Sequence, residues 1–427
     1  MTGAVVRALS ALVLMLLLTP PLPAQAELRG HGGPVRAIAI SQDGKTAVTG
    51  SFDTTIIVWD LERDTAKQVL RFHEGAVNVV HITGNMGLLT GSDDGTVALW
   101  DLREAKPPVV WKKHSAPVVA ANIICCEPNS LHTSAAFADG TIVWSTRGNG
   151  LADSNQSLRA APLAAVYTNA SALVVATADQ KLLWTGTNKS ITLPANANTL
   201  ASTPDGEIIA GGADGKVSIL RADGSMRLTV EVQEMPITSL AVSVDGALIA
   251  AAGLRGAVMI FNRTTGASVS TLVGPGLPVW SLAFHPDGKT ILTGGADRVV
   301  RKWSVATGQP LSPAHAPKPD FPASAMNERG AGVFKACEAC HTVTPDGGNR
   351  AGPSLHGVFG RAAGTAKDYV YSADFNKHGI VWNADTIARL FREGPSKVTP
   401  GTKMPEQRVT DAEDLKALVE WLGRVTR

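Results

Sequence analysis

Cys337, Cys340 and His341 stand in the run Ala336-Cys-Glu-Ala-Cys-His-Thr342, and Met404 follows 63 positions after the histidine. A C-x-x-C-H run is the attachment pattern of a c-type haem. Two thiols three positions apart on one helical turn reach both vinyl groups of a porphyrin, and the adjacent imidazole stands over the iron as fifth ligand. A thioether as the sixth makes a His/Met pair, which raises the reduction potential and suits electron transfer. Other chemistries share the C-x-x-C spacing, namely a disulfide or half of a zinc site. Zinc would need two further Cys or His ligands nearby, whereas Cys125 and Cys126 lie far upstream. Met404 is the only methionine after His341, and His356 and His378 compete with it as a second axial ligand.

These residues occupy the last part of a 427-residue chain whose formal charge is only +2. Such a balance leaves no basic footprint for nucleic acid or an anionic membrane. Leu418, Trp421 and Leu422 recur at i, i+3, i+4 and predict an amphipathic helix, with Thr410 as its cap and Glu413 three residues on. Upstream, Trp59-Asp60, Trp100-Asp101, Trp144, Trp184, Leu220, Phe261 and Trp303 recur at intervals of 36 to 44 residues. An aspartate in a tight turn precedes most of them: Asp53, Asp94, Asp139, Asp179, Asp214 and Asp297. Apolar-alternating runs such as Val35–Ile40 and Val279–Phe284 come earlier in the unit, with Asp-Gly turns beside them. Each unit reads as three to four short β-strands joined by Asp/Gly turns.

The C-terminal motifs occur in order: Gly352-Pro-Ser-Leu-His-Gly-Val-Phe-Gly-Arg361, Tyr371, Gly379-Ile-Val-Trp382 and Pro400-Gly-Thr-Lys-Met404. With the C-x-x-C-H run, residues 326–427 resemble the class I cytochromes c, an all-α family. The resemblance implies one haem c held covalently by Cys337 and Cys340, with His341 and Met404 on the iron. It implies that the Pro353 carbonyl accepts a bond from the proximal imidazole. Arg361, Tyr371 and Trp382 would face the haem propionates, and Thr402 would lie near the axial methionine. Gly330 and Phe334 would pack the first helix on the last. Two departures stand out. Pro405-Glu406-Gln407 replaces an apolar run after the methionine, which predicts a more exposed methionine side. Phe375 stands where some relatives hold a buried water with a polar residue. Lys335, Lys397 and Lys403 are candidates to ring the haem edge.

The upstream units resemble WD repeats, whose unit is one four-stranded propeller blade. His31, His73 and His114 stand where that family places the histidine of its Gly-His dipeptide. The resemblance implies a buried polar set bracing each blade: His31, Ser51 or Thr49, Asp53 and Trp59 on the first, and His73, Ser92 or Thr90, Asp94 and Trp100 on the second. Seven blades are expected over residues 27–308, with eight as the alternative. Residues around Glu27 to Gly30 would close the ring by lending a strand to the last blade. Blades four to six match weakly: Arg255 replaces a turn aspartate, and Leu220 and Phe261 replace tryptophans.

Residues 1–26 read as a secretory signal peptide: one basic residue, an apolar run Ala8–Leu18, a proline break and Ala24-Gln-Ala26. That run is well short of the roughly twenty residues a spanning helix needs. The expectation is export to the periplasm and no membrane span in the mature chain. Cys125 and Cys126 are expected in a turn, as free thiols or a vicinal disulfide. Residues 309–325 are proline-rich and read as a semi-rigid tether between the domains.

The expected architecture is therefore multidomain, an all-β seven-bladed β-propeller followed by an all-α cytochrome c domain. The expected function is a periplasmic mono-haem carrier of single electrons, an electron carrier rather than a catalyst. Its propeller would dock a redox partner protein: a dehydrogenase, reductase or terminal oxidase. The alternative is an oxidoreductase whose propeller binds a substrate or second cofactor while the haem removes electrons. Propeller–cytochrome nitrite reductases are the analogy; they use eight blades and a second haem, and no matching ligands are found here.

Overall fold

The computed structural model describes residues 27–427 apart from 85, 105, 128–129, 148–150, 169–172, 188, 312–324, 326–327, 346, 372–374 and 376–378. The expected signal peptide, most of the proline-rich segment, His378 and the side chains of Cys125 and Cys126 lie outside what is described.

Seven four-stranded antiparallel sheets make a closed propeller, so the eight-blade alternative falls. Blade one comprises Val35–Ile40, Thr46–Ser51, Thr55–Asp60 and Thr65–Arg71. Blade seven comprises Val279–Phe284, Thr290–Gly295 and Val299–Ser304, and its outer strand is Glu27–Arg29 from the start of the chain. In that closure Leu28 pairs with Val300, and the Arg301 guanidinium meets the Glu27 carboxylate at 3.1 Å. The borrowed strand pairs the edge that blade seven would otherwise leave open.

The polar brace is present where the sequence motif is complete. On blade one, His31 joins Asp53 through Nδ1 at 3.1 Å and Thr49 through Nε2 at 2.6 Å, and the Trp59 indole donates to the same hydroxyl at 2.8 Å. Blade two repeats this with His73, Asp94, Thr90 and Trp100. Threonine, not serine, takes the central place on both blades. Blade three varies the pattern: His114 reaches Asp139 through Nε2. Blade seven keeps only the Trp303 bond to Thr293, at 2.9 Å. Where tryptophan is replaced, Leu220 and Phe261 are fully buried among apolar neighbours. One expectation is corrected here. Cys125 and Cys126 lie within strand Val118–Glu127, with Cys125 opposite Leu131, rather than in a turn. The strand simply runs on past the place where blade one turns at Gln42-Asp43.

The C-terminal domain has four helices among its described residues: α1 (Arg329–Phe334), α2 (Ala384–Glu393), α3 (Pro395–Val398) and α4 (Ala412–Val425). Its core joins α1 to α4 through Phe334 and Trp421, whose rings lie 5.0 Å apart. Burying Phe334 alone contributes about 1.5–3 kcal/mol. Gly330 allows this approach, since a Cβ there would lie 2.4 Å from Trp421 Cβ. The cap of α4 differs from expectation. Asp411, not Thr410, is the N-cap, and its carboxylate accepts the Asp414 amide at 2.8 Å. A carboxylate at this end also complements the helix dipole.

Candidate functional site

Helix α1 ends at Phe334, and the chain continues in helical turns that put Cys337, Cys340 and His341 together. The amides of Cys340 and His341 both donate to the Cys337 carbonyl, each at 3.0 Å. The His341 ring lies 2.8 Å from the Pro353 carbonyl through Nδ1. A carbonyl can only accept, so Nδ1 carries the proton and Nε2 keeps its lone pair. Burial holds the His341 pKa down at about 4, which keeps the ring neutral. Gly352 makes room for this imidazole: a Cβ there would lie 2.2 Å from the ring. Burial likewise pushes the Cys337 thiol up to about 12 and the Cys340 thiol to about 11.

Cys337, Cys340, His341 and Met404 line one cavity of about 710 Å³. Pro353, Arg361, Tyr371, Trp382 and Thr402, expected around the haem, line it too. Thr402 positions the methionine segment, its hydroxyl accepting the Met404 amide at 3.1 Å. Arg361 donates to the carbonyls of His356 and Ser354, at 3.0 and 2.7 Å. Phe375 also lines the cavity and stacks on Tyr371, with centroids 4.8 Å apart. His356 is not among the lining residues.

The propeller forms part of the same cavity, which sequence reasoning missed. Gly32, Phe52, Asp53, Thr54, Arg71 and Phe72 of the propeller line it. The Ala351 amide donates to the Gly30 carbonyl at 2.8 Å. Gly32 approaches Cys340 so closely that a Cβ would lie 2.6 Å from its sulfur. The Arg71 guanidinium lies over the Tyr369 ring, 4.5 Å from its centroid, and the Tyr369 hydroxyl donates to the Ala351 carbonyl at 2.9 Å. On the methionine side Pro405 and Glu406 are exposed, while Lys403 donates to the His73 carbonyl at 2.8 Å and propeller residues line the cavity beside it. Of the three lysines expected at the edge, only Lys403 lines the cavity, and Lys397 instead meets Glu393 at 3.3 Å.

Comparison with known proteins agrees with both parts of the architecture. The family model described as Cytochrome c matches residues 327–426. Cytochrome c of Gibberella zeae is 42% identical over 101 residues, covering 23% of this chain and 94% of that protein. The chain belongs to the cytochrome c family. Cytochrome c2 iso-2 of Magnetospirillum molischianum is 39% identical over 89 residues, covering 21% of this chain and 90% of its own. The model described as WD domain, G-beta repeat, matches residues 23–60, 65–101 and 266–304. The β-propeller domain of Cps50 (Swd1) from Myceliophteria thermophila superposes with a TM-score of 0.57 at 20% identity, covering 64% of this chain and 96% of that one, which shows the fold.

A cytochrome c domain implies haem c, and the residues present fit that group. The cavity is within the usual volume of a cofactor site. It offers two thiols, a neutral imidazole with a free Nε2 lone pair and a thioether in a largely apolar wall. It also holds the part-buried cation of Arg71, whose enclosed Nε and Nη2 have no hydrogen-bond partner. An anionic group is what such a cation lacks.

Proposed function

We propose that this protein is a periplasmic mono-haem electron carrier, with the WD40 propeller as the platform on which its redox partner docks. The observation that carries the reading is the meeting of Cys337, Cys340, His341 and Met404 in one cavity, with His341 oriented by Pro353. Haem c supplies a ferrous/ferric couple when bound. Cys337 and Cys340 would each add sulfur and hydrogen across a vinyl double bond, a step that balances without an oxidant. His341 would present Nε2 to the iron, while Pro353 fixes its tautomer and strengthens it as a donor. Met404 would complete a pair whose two ligands stay in place as the charge changes, which limits reorganisation. No helix among the described residues is long and apolar enough to cross a membrane.

The test is the purified, exported protein. One covalent haem per chain is expected, with the far-red band of Met–iron ligation in the oxidised form. Met404→Leu should abolish that band, and Cys337→Ser with Cys340→Ser should abolish covalent attachment. A wild-type protein without covalent haem, or with more than one, would overturn the reading. Recovery of the protein from the cytoplasm instead of the periplasm would overturn its location. Docking is tested by cross-linking the haem-loaded full chain in periplasmic extract. Cross-links from a redox protein to the propeller support the platform, and links confined to the cytochrome domain refute it.

A further inference from the structure

Arg71 closes the last strand of blade one and lines the cavity that the two domains share. Its Nε and Nη2 are buried without a hydrogen-bond partner. Burying a guanidinium costs several kcal/mol unless an anion and hydrogen-bond acceptors meet it. The face of Tyr369 offers only a cation–π contact, about 0.5–2 kcal/mol. The other two cations lining the cavity are already engaged: Arg361 with the carbonyls of His356 and Ser354, and Lys403 with that of His73. Asp53 and Glu74 line the cavity as well, but the Asp53 carboxylate is taken by His31, Thr55 and the Gly32 amide, and the exposed Glu74 does not meet the Nε or Nη2 of Arg71. Arg71 is thus the lining cation with unmet donors.

We propose that Arg71 is a cofactor-pocket residue supplied by the propeller, pairing its guanidinium with a propionate carboxylate of the haem held by the cytochrome domain. The inference rests on the reading above that this cavity holds haem. A planar fork of donors matches a carboxylate in two-point geometry, which a lysine cannot reproduce in full. The pairing makes the propeller a determinant of the reduction potential. Removing the guanidinium leaves the propionate charge unbalanced near the iron, which favours the ferric form. It also raises the propionate pKa, so the potential should change with pH in a higher pH range.

The experiment uses the haem-loaded full chain as wild type, Arg71→Gln and Arg71→Lys. Midpoint potential is measured against pH, and the radius of gyration is measured in parallel. Absence of covalent haem in the wild type would sink the haem reading itself, separately from this inference. Given haem, Arg71→Gln is expected to shift the ferrous/ferric ratio about tenfold toward ferric, a fall of about 59 mV for a one-electron couple. Its pH-dependent step should move upward, Arg71→Lys should recover most of both effects, and the radius of gyration should stay that of the wild type. Potentials and pH profiles equal to the wild type in Arg71→Gln would overturn the assignment. So would a shift that Arg71→Lys fails to recover, or one that appears only with an expanded molecule, because either marks a packing role.

Discussion

Lys403, the residue before Met404, donates its ammonium to the backbone carbonyl of His73, whose side chain braces blade two. One histidine therefore serves both domains: its ring holds a propeller blade and its carbonyl ties down the methionine segment. The cavity that gathers the cytochrome motifs is a joint product of the two domains.

Lys403→Gln should loosen that joint. A hydrogen bond from a charged donor contributes about 1.5–3 kcal/mol when buried and less here, where the side chain is partly in water. The Ala351 amide bonds to Gly30 across the boundary and reports on docking. Its hydrogen exchange should speed up about tenfold in the variant, equivalent to about 1.4 kcal/mol. Unchanged protection would show that this tie does not hold the domains.

Gly32→Val places branched carbon where the Cys340 sulfur already leaves a Cβ only 2.6 Å. The domains should separate while each stays folded. Small-angle scattering should report a larger radius of gyration with both thermal transitions retained. A radius equal to the wild type would contradict a tight fit at this point.

Thr49→Val should destabilise the propeller more than Thr293→Val. Thr49 serves both His31 and Trp59, whereas Thr293 serves Trp303. A buried donor left without a partner costs about 1–3 kcal/mol, so the blade-one variant should lose roughly twice as much. Equal shifts in propeller melting temperature would argue against the shared hydroxyl.

Asp53 sets an acid limit on blade one. Burial pushes its carboxyl up, but the adjacent His31 and the bonds from Thr55 outweigh this and hold it at about 2, below the ordinary 3.8. A depressed carboxyl stabilises the fold above its unfolded pKa, and that stability is lost as pH falls toward the folded value. About 2 kcal/mol should therefore be present at pH 5 and disappear between about pH 4 and pH 2. Denaturant titrations of wild type and Asp53→Asn should show a stability gap that closes over this range. A gap independent of pH would refute the assignment.

The gathering of the candidate haem-site residues in one cavity was legible because the expected chemistry demands local order. Two thiols and an imidazole must share one turn, so Cys337, Cys340 and His341 are neighbours in sequence as in space. The blades were legible for a related reason: each must repeat the same hydrogen-bonded solution, so His31, Asp53 and Trp59 recur as His73, Asp94 and Trp100. Finer details escaped. The cap falls to Asp411, one residue past Thr410, because its carboxylate reaches the Asp414 amide, and the continuation of a strand through Cys125 depends on its pairing with Leu131.

What the sequence by itself determined is the chemistry and the two scaffolds, both written in short-range spacing and periodic pattern. Only the tertiary structure decided that the scaffolds meet, and where. Gly32 against Cys340, Arg71 over Tyr369 and Lys403 on the His73 carbonyl each join residues some three hundred positions apart. Contacts between separate domains follow from surface shape and unmet hydrogen-bonding capacity, and neither leaves a period in the chain. Arg71 looks like any strand-end arginine until folding encloses its Nε and Nη2 beside the cavity without partners.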